Sequence, residues 1–384
     1  MGSEMCIRDR ALTPYLEITE AIMEAGGEKL KTCFQCGTCS GSCPWAPVNG
    51  FSVRALIRLS QFGLEGIENY MWECSNCRQC EVRCPQGVEI INIVKAARTV
   101  YSQGGLLPAS LRNVVGSLTS KGNPWGGEQE ARYDWMKDQP VPDYTPDKEM
   151  LYFTCCTYAY DPRNRQVARD TVAVLNQAGI SWGSLKSGEV CCGEAVGKMG
   201  DLDLFENLKS TNQKLFEENQ VKNIITGSPH CYYTFTNEYP GGYQVKHISQ
   251  VLAEAIKSGA LKLSKEIGKK VTYHDPCYLG RHSEIYDEPR EVIQAVPGVE
   301  FIEMERNREN ALCCGGGGGK IWMEVPAGER LSDFRVQEAL DIGAEILVVA
   351  CPYCLTNFED SRKTLNAEDK IQIMDLVELV KNAI

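Results

Sequence analysis

Cys33, Cys36 and Cys39 are followed by Cys43–Pro44, and the same spacing returns at Cys74, Cys77, Cys80 and Cys84–Pro85. A C-x2-C-x2-C-x3-C-P run is the pattern that holds paired [4Fe–4S] clusters. Three closely spaced thiolates wrap three corners of one cube, and the fourth, after a turn fixed by proline, reaches the neighbouring cube. Crossed ligation would give one cluster to Cys33, Cys36, Cys39 and Cys84, and the other to Cys74, Cys77, Cys80 and Cys43. Zinc, the alternative metal, usually takes two separated Cys-x-x-Cys pairs. Two unbroken runs of four favour iron.

A second set of cysteines lies behind the first. Cys155 to Cys277, Cys191 to Cys313 and Cys192 to Cys314 each span 122 positions, and Cys231 to Cys354 spans 123. Such a fixed offset is the mark of an internal repeat. In that register GSPHCYYTF (227–235) falls on ACPYCLTNF (350–358), so Ser228 stands where the second copy has Cys351. Cys156 is an extra thiol whose counterpart is Tyr278.

The second copy offers Cys277, Cys313, Cys314, Cys351 and Cys354, one thiol more than a cubane needs. Adjacent cysteines cannot easily cap two corners of a rigid cube, so an unusual cluster with a bridging thiolate is expected there. The first copy keeps Cys155, Cys191, Cys192 and Cys231. Serine is a harder ligand than a thiolate and stays protonated near neutral pH. A cluster in the first copy should therefore be weaker or of ordinary cubane type, with Cys156 as stand-in; the alternative is a relic whose cysteines only pack.

Five glycines, 315–319, follow Cys314. Without side chains the backbone can approach closely and aim N–H groups at cluster sulfurs. All four histidines, His230, His247, His274 and His282, lie in the repeated half. His230 adjoins Cys231, and His274 and His282 flank Cys277, within reach of donating a proton or a hydrogen bond to sulfur. A lone histidine is more often structural. Arg281 is a candidate for holding an anionic thiol substrate.

The elements that must position these residues change along the chain. Around the front cysteines, Val53, Leu56, Ile57 and Leu64, then Ile90, Val94, Ala97 and Tyr101, recur near helical period. Residues 121–149, with their prolines, paired glycines and charges, read as a linker. From residue 150 short apolar strands (MLYFT, NIITG, KKVTYHD, EILVVA) alternate with amphipathic helices, ending on a helix IMDLVELVKNAI. That alternation implies parallel α/β sheets. The fold class is α+β multidomain: a helical two-cluster domain over 11–120, the linker, and α/β repeats over 150–265 and 266–384.

The 384 residues suffice for two or three domains with cores of their own. Nineteen cysteines without an export signal point to metal rather than disulfides. A net charge of −11 and a pI near 5.1 argue against nucleic-acid binding. No apolar stretch approaches the roughly 18–20 residues of a membrane helix, so a cytoplasmic protein is expected, or one peripheral on the inner face of a membrane. Residues 1–10, MGSEMCIRDR, fit no pattern and read as a cloning scar or sequencing-adapter read-through, so Cys6 is set aside.

With CFQCGTCSGSCP and ECSNCRQCEVRCP in front, and CCGEA, HDPCYLGRH, LCCGGGG and ACPYC behind, the chain resembles the heterodisulfide reductase family. It resembles the fused form, in which a two-cluster ferredoxin-like domain precedes two CCG cysteine-rich domains. The resemblance implies two cubanes at the eight front cysteines and a noncubane [4Fe–4S] cluster in each complete CCG domain. It implies electrons arriving from a flavoprotein, a ferredoxin or a membrane cytochrome, and disulfide reduction at the CCG cluster. The second site matches at Cys277, Cys313, Cys314, Cys351 and Cys354, which become the catalytic candidates; the first matches at Cys155, Cys191, Cys192 and Cys231 and departs at Ser228. Related chains of the same layout serve as electron-transfer subunits between a flavin-dependent dehydrogenase, such as a 2-hydroxy-acid oxidase, and a quinone or membrane cytochrome. That is the alternative function.

Overall fold

A computed structural model describes residues 13–326 and 328–384, so the segment 1–10 with Cys6 lies outside it. The front half is helical, as its periodicity predicts. Ser52 caps the helix Val53–Phe62 by accepting from the Ala55 N–H, and Val53, Leu56 and Ile57 are its buried face. The expected continuation through Leu64 stops at Gly63, which adopts φ 58 and sits so close to Tyr15 that a Cβ would fall 1.9 Å from its carbonyl oxygen. The helix Ile90–Gln103 buries Ile90, Val94 and Ala97 and packs on the segment Leu16–Gly27. The first cysteine run lies ahead of Val53–Phe62, with Cys39 inside a short helix Thr38–Ser42, and the second lies in the turn between Val53–Phe62 and Ile90–Gln103.

The stretch 121–149 is no free tether. Its 3-10 turn Glu130–Met136 buries Arg132 and Trp135 completely and packs on the helix Cys156–Tyr160. Trp135 meets Tyr152 edge-on at 6.2 Å between ring centroids. Pro and Gly content alone does not register that apolar anchor.

Behind it lie two parallel four-stranded sheets of one topology. The first comprises β1 (Met150–Tyr152), β2 (Trp182–Gly183), β3 (Asn223–Thr226) and β4 (Gln244–His247), ordered β2-β1-β3-β4. The second comprises β5 (Lys270–Tyr273), β6 (Glu300–Phe301), β7 (Ile346–Val349) and β8 (Gln372–Asp375), ordered β6-β5-β7-β8. β7 is buried on both faces, the signature of a parallel strand covered by helices. In the expected terminal helix IMDLVELVKNAI, residues 373–375 are instead the end of β8, paired with β7. Asp375 starts the helix Leu376–Ala383 by accepting from Val377 N–H, with Glu378 completing a capping box. The two repeats pack through exchanged helices: Pro162–Gln177 lies on Leu376–Ala383, and Ile248–Lys257 lies on Asp287–Gln294.

In each sheet the order reverses between the two central strands, where open α/β sheets place ligands beyond the carboxyl ends. Cys155 follows β1 and Ser228 follows β3; Cys277 follows β5 and Cys351 follows β7. The repeat thus delivers its cysteines to the same topological switch point twice. No helix among the described residues is long and apolar enough to cross a membrane.

Candidate metal centres

The front cysteines gather in the crossed grouping. Cys33, Cys36, Cys39 and Cys84 line one small cavity. Cys43 lies instead against Cys74 and Cys77, and Cys80 against Cys74, Cys77 and Cys43. Both runs bend the same way: Gln35 and Gly37 in the first, Asn76 and Arg78 in the second, adopt positive φ. Such turns aim amides at sulfur, as where Asn76 N–H donates to Cys74 Sγ at 3.4 Å. Burial pushes the Cys74 thiol up to about 11, against the pull of the Arg98 guanidinium. Four thiols around each of two points fit a [4Fe–4S] cluster, and iron must displace protons to bind them.

The second CCG-type site gathers its five thiols in the same way. Cys313 contacts Cys277 and Cys314, and Cys354 contacts Cys314 and Cys351. All five are buried. Gly315 adopts φ 85 and its N–H donates to Cys313 Sγ at 3.3 Å. Its counterpart Gly193, at φ 88, does the same to Cys191 Sγ at 3.5 Å. Gly316 likewise turns its N–H to Cys314, whereas Gly317 and Gly318 have a different role from the expected one. A Cβ on Gly317 would fall 2.3 Å from Ser75 O, and one on Gly318 would fall 2.7 Å from Cys74 O. They let the backbone close onto the second front cysteine run.

That closure joins the two halves. Ser75 Oγ lies 3.7 Å from Cys313 Sγ and accepts from Trp45 Nε1 at 3.0 Å. Cys77 itself contacts Cys313. Arg281, the candidate for a substrate anion, is 3% exposed; it donates to Cys77 O at 2.7 Å and Ala311 O at 2.8 Å, and its Nη2 has no partner among the described residues. It ties the halves together and offers nothing to solvent.

The histidines divide by partner. His247 caps the helix Ile248–Lys257 and reaches Gly227 O at 3.0 Å, a structural role. His282 reaches Asn76 O at 2.9 Å and stacks on Tyr278. His230, from the first repeat, contacts Cys351 of the second, and its Nδ1 lies 3.3 Å from Glu194 Oε2. Burial raises the Cys351 thiol, but Cys354 and His230 together bring it down to about 5.

An imidazole nitrogen of His274 lies within 4.8 Å of the Cys314 and Cys354 sulfurs. Nδ1 accepts from Arg335 Nε–H at 3.2 Å, and burial keeps the ring neutral. The proton therefore sits on Nε2, which has no protein partner among the described residues and is left to donate to a cluster sulfur once iron is bound. His274→Ala should leave the iron content unchanged and lower the midpoint potential of this site alone. One lost hydrogen bond of about 1 kcal/mol is roughly 40 mV for a single electron. Redox-titrated EPR reads the shift; iron loss would make His274 a ligand instead.

The first site holds five thiols despite Ser228. Cys155, Cys156, Cys191, Cys192 and Cys231 line one cavity with Ser228, whose side chain contacts Cys155. Cys156 contacts Cys191 and accepts from Arg132 Nη1 at 3.2 Å. Arg132 is in turn 3.6 Å from the buried Glu189. Tyr353 of the second repeat lines this cavity, the reciprocal of His230 reaching Cys351. Arg132, Glu189 and Arg335 stand in no quoted motif, and the sequence marks this site by its four repeated cysteines and by the Ser228 and Cys156 departures.

Residues 150–236 and 271–359 each match the family model described as a cysteine-rich domain, CCG, and residues 29–88 match that of a 4Fe-4S dicluster domain. The chain is 37% identical to the probable iron-sulfur-binding oxidoreductase FadF of Bacillus subtilis, over 83% of this chain and 47% of that protein. It is 36% identical to the EtfAB:quinone oxidoreductase of Syntrophomonas wolfei, over 82% and 46%. It therefore spans about half the length of these two relatives. Identity to a subunit of the dihydromethanophenazine:CoB–CoM heterodisulfide reductase of Methanosarcina barkeri is 30%, over 93% of this chain and 94% of that one. A crystal structure of a hypothetical protein from Helicobacter pylori gives a TM-score of 0.52 at 10% identity, over 93% of this chain and 72% of that one, a likeness of fold alone.

Proposed function

Because the chain belongs to the heterodisulfide reductase family, in the fused form with a 4Fe-4S dicluster domain ahead of two CCG domains, we propose that this iron–sulfur oxidoreductase reduces a disulfide or related sulfur compound at its second CCG site. The observation that carries the reading is that this site has two faces. On the inner face Cys313 meets Cys77 and Ser75 of the dicluster domain. On the outer face Cys314 and Gly315 form part of the wall of a cleft of about 540 Å³, with Trp45, Trp322 and Lys320 around it. A substrate entering there would meet Cys314, the chain neighbour of the cysteine that touches the front half.

Bound clusters, two cubanes in front and a noncubane [4Fe–4S] cluster at Cys277, Cys313, Cys314, Cys351 and Cys354, would supply one-electron carriers for a reaction that needs two electrons and two protons. The protein's part is to orient and to exclude water. Trp45 and Trp322 give the cleft apolar walls. Lys320 is held by Glu73 at 2.9 Å and Arg330 by Asp360, so neither cation is left without an anion. His230 keeps its imidazole against Cys351, and Glu194 fixes the ring from behind. A flavoprotein, a ferredoxin or a membrane cytochrome would deliver the electrons.

Similarity supports a second reading. FadF and the EtfAB:quinone oxidoreductase are more alike in sequence to this chain than the methanogen reductase is. The chain would then be a non-catalytic electron-transfer protein between a flavin-dependent dehydrogenase and a quinone or membrane cytochrome. Anaerobic assays with photoreduced protein separate the two. Disulfide reduction should release two thiols per disulfide and fall at least a hundredfold in Cys314→Ala, with the front-cluster EPR signals retained. Reduction of a soluble quinone with every disulfide untouched would establish the second reading instead.

A further inference from the structure

The cysteine ligands are not equally hidden. Cys36 is exposed, whereas all ten cysteines of the two CCG sites are buried. Beside it opens a cleft of about 700 Å³, lined by Lys31, Cys33, Phe34, Arg54, Arg58 and Phe62 among others. No carboxylate among the described residues lines it. In a chain with eleven more acids than bases this is a local reversal of sign. Lys31, Arg54 and Arg58 form no ion pair among the described residues; Arg58 instead stacks over the Phe62 ring at 4.2 Å. Phe34 and Phe62 are 58% and 36% exposed, an apolar pair of the kind that docking surfaces present.

We propose that this cleft docks a small acidic redox protein, whose cofactor exchanges electrons with the chain through the Cys33–Cys36 edge. Three points carry it. Cys33 lines the cleft and neighbouring Cys36 is the one exposed cysteine among the described residues, so a front-cluster ligand is reached from solvent here. The cations attract an acidic partner against the field of the rest of the protein, which would repel it elsewhere and so select this face. The phenylalanines supply apolar contact for an interface small and polar enough to release quickly. The inference rests on the reading that Cys33, Cys36, Cys39 and Cys84 hold a cluster, which iron analysis and EPR of the same samples check independently.

The test is stopped-flow reduction of the holoprotein by a reduced acidic [2Fe–2S] ferredoxin, with photoreduced neutral deazaflavin as the small-molecule comparison. Lys31→Glu/Arg54→Glu/Arg58→Glu should slow the ferredoxin reaction at least tenfold at low salt and leave the deazaflavin rate unchanged. The difference should vanish near 0.5 M salt, where charges are screened within a few ångströms. Arg58→Gln alone should give a smaller loss of the same salt dependence. Equal ferredoxin rates in wild type and triple variant, at any salt, overturn the proposal. So does flotation of the wild type, but not of the variant, with phosphatidylglycerol vesicles while ferredoxin rates stay equal, because the cleft would then be a lipid-facing surface.

Discussion

Arg98→Met should destabilise the holoprotein by about 3–5 kcal/mol, because it leaves several buried carbonyls without their donor, each at a cost of about 1–3 kcal/mol before relaxation. Arg98 is fully buried at the junction of all three domains. Its guanidinium donates to Met71 O and Cys74 O in the dicluster domain, Lys198 O in the first CCG repeat and Gly318 O in the second. Gly200 comes so close to the same helix that a Cβ would fall 2.7 Å from Arg98 O, so the neighbouring backbone cannot relax inward to replace the lost donors. No carboxylate forms an ion pair with this arginine among the described residues; burial works against its charge, and the more distant Cys74, Tyr278, Glu194 and Glu73 favour it. Arg98→Lys should recover little, since one ammonium cannot fan donors to four carbonyls. Anaerobic denaturation followed by tryptophan fluorescence and cluster absorbance measures the cost. A change below about 1 kcal/mol would mean that the glycine contacts alone hold the domains together.

The cysteine spacing carries nearly all of the candidate site. Crossed grouping, duplication at offset 122–123 and the Ser228 departure all follow from counting, because a metal fixes the separations of its ligands and the chain must keep them. The long apolar elements are equally legible. What spacing does not show is what lies between sites. Arg281, next to a motif cysteine, suggests a substrate clamp, yet its three-dimensional partners are carbonyls from residues 28 to 204 positions away. The glycine run suggests service to its own cluster, while Gly317 and Gly318 are fitted to a turn more than two hundred positions earlier. The strand at 372–375 merges by pattern into the helix that follows it, because four residues at a sheet edge carry too short an alternation to register. Arg132 lies in a segment whose composition signals only a boundary.

The reciprocal pair Ser228 and Cys351 gives the sharpest test of how the two repeats have diverged. Cys351→Ser places the first copy's residue in the second, where Tyr278 stands opposite Cys156 and no spare thiol exists. It also removes the sulfur that His230 touches. Iron should fall by about 4 per chain, or the site should revert to a cubane spectrum, and disulfide reduction should drop at least a hundredfold. In the first copy the expected dependence is the opposite: serine is tolerated because Cys156, held by Arg132, restores a fifth thiol to the cavity. Cys156→Ala should therefore release about 4 irons, and Ser228→Cys in that background should restore them. The wild type should hold about 16 irons per chain, two cubanes and two CCG-type clusters of four each. About 12, unchanged by Cys156→Ala, would leave the first repeat a structural partner whose contribution to the chemistry is the imidazole it lends to Cys351.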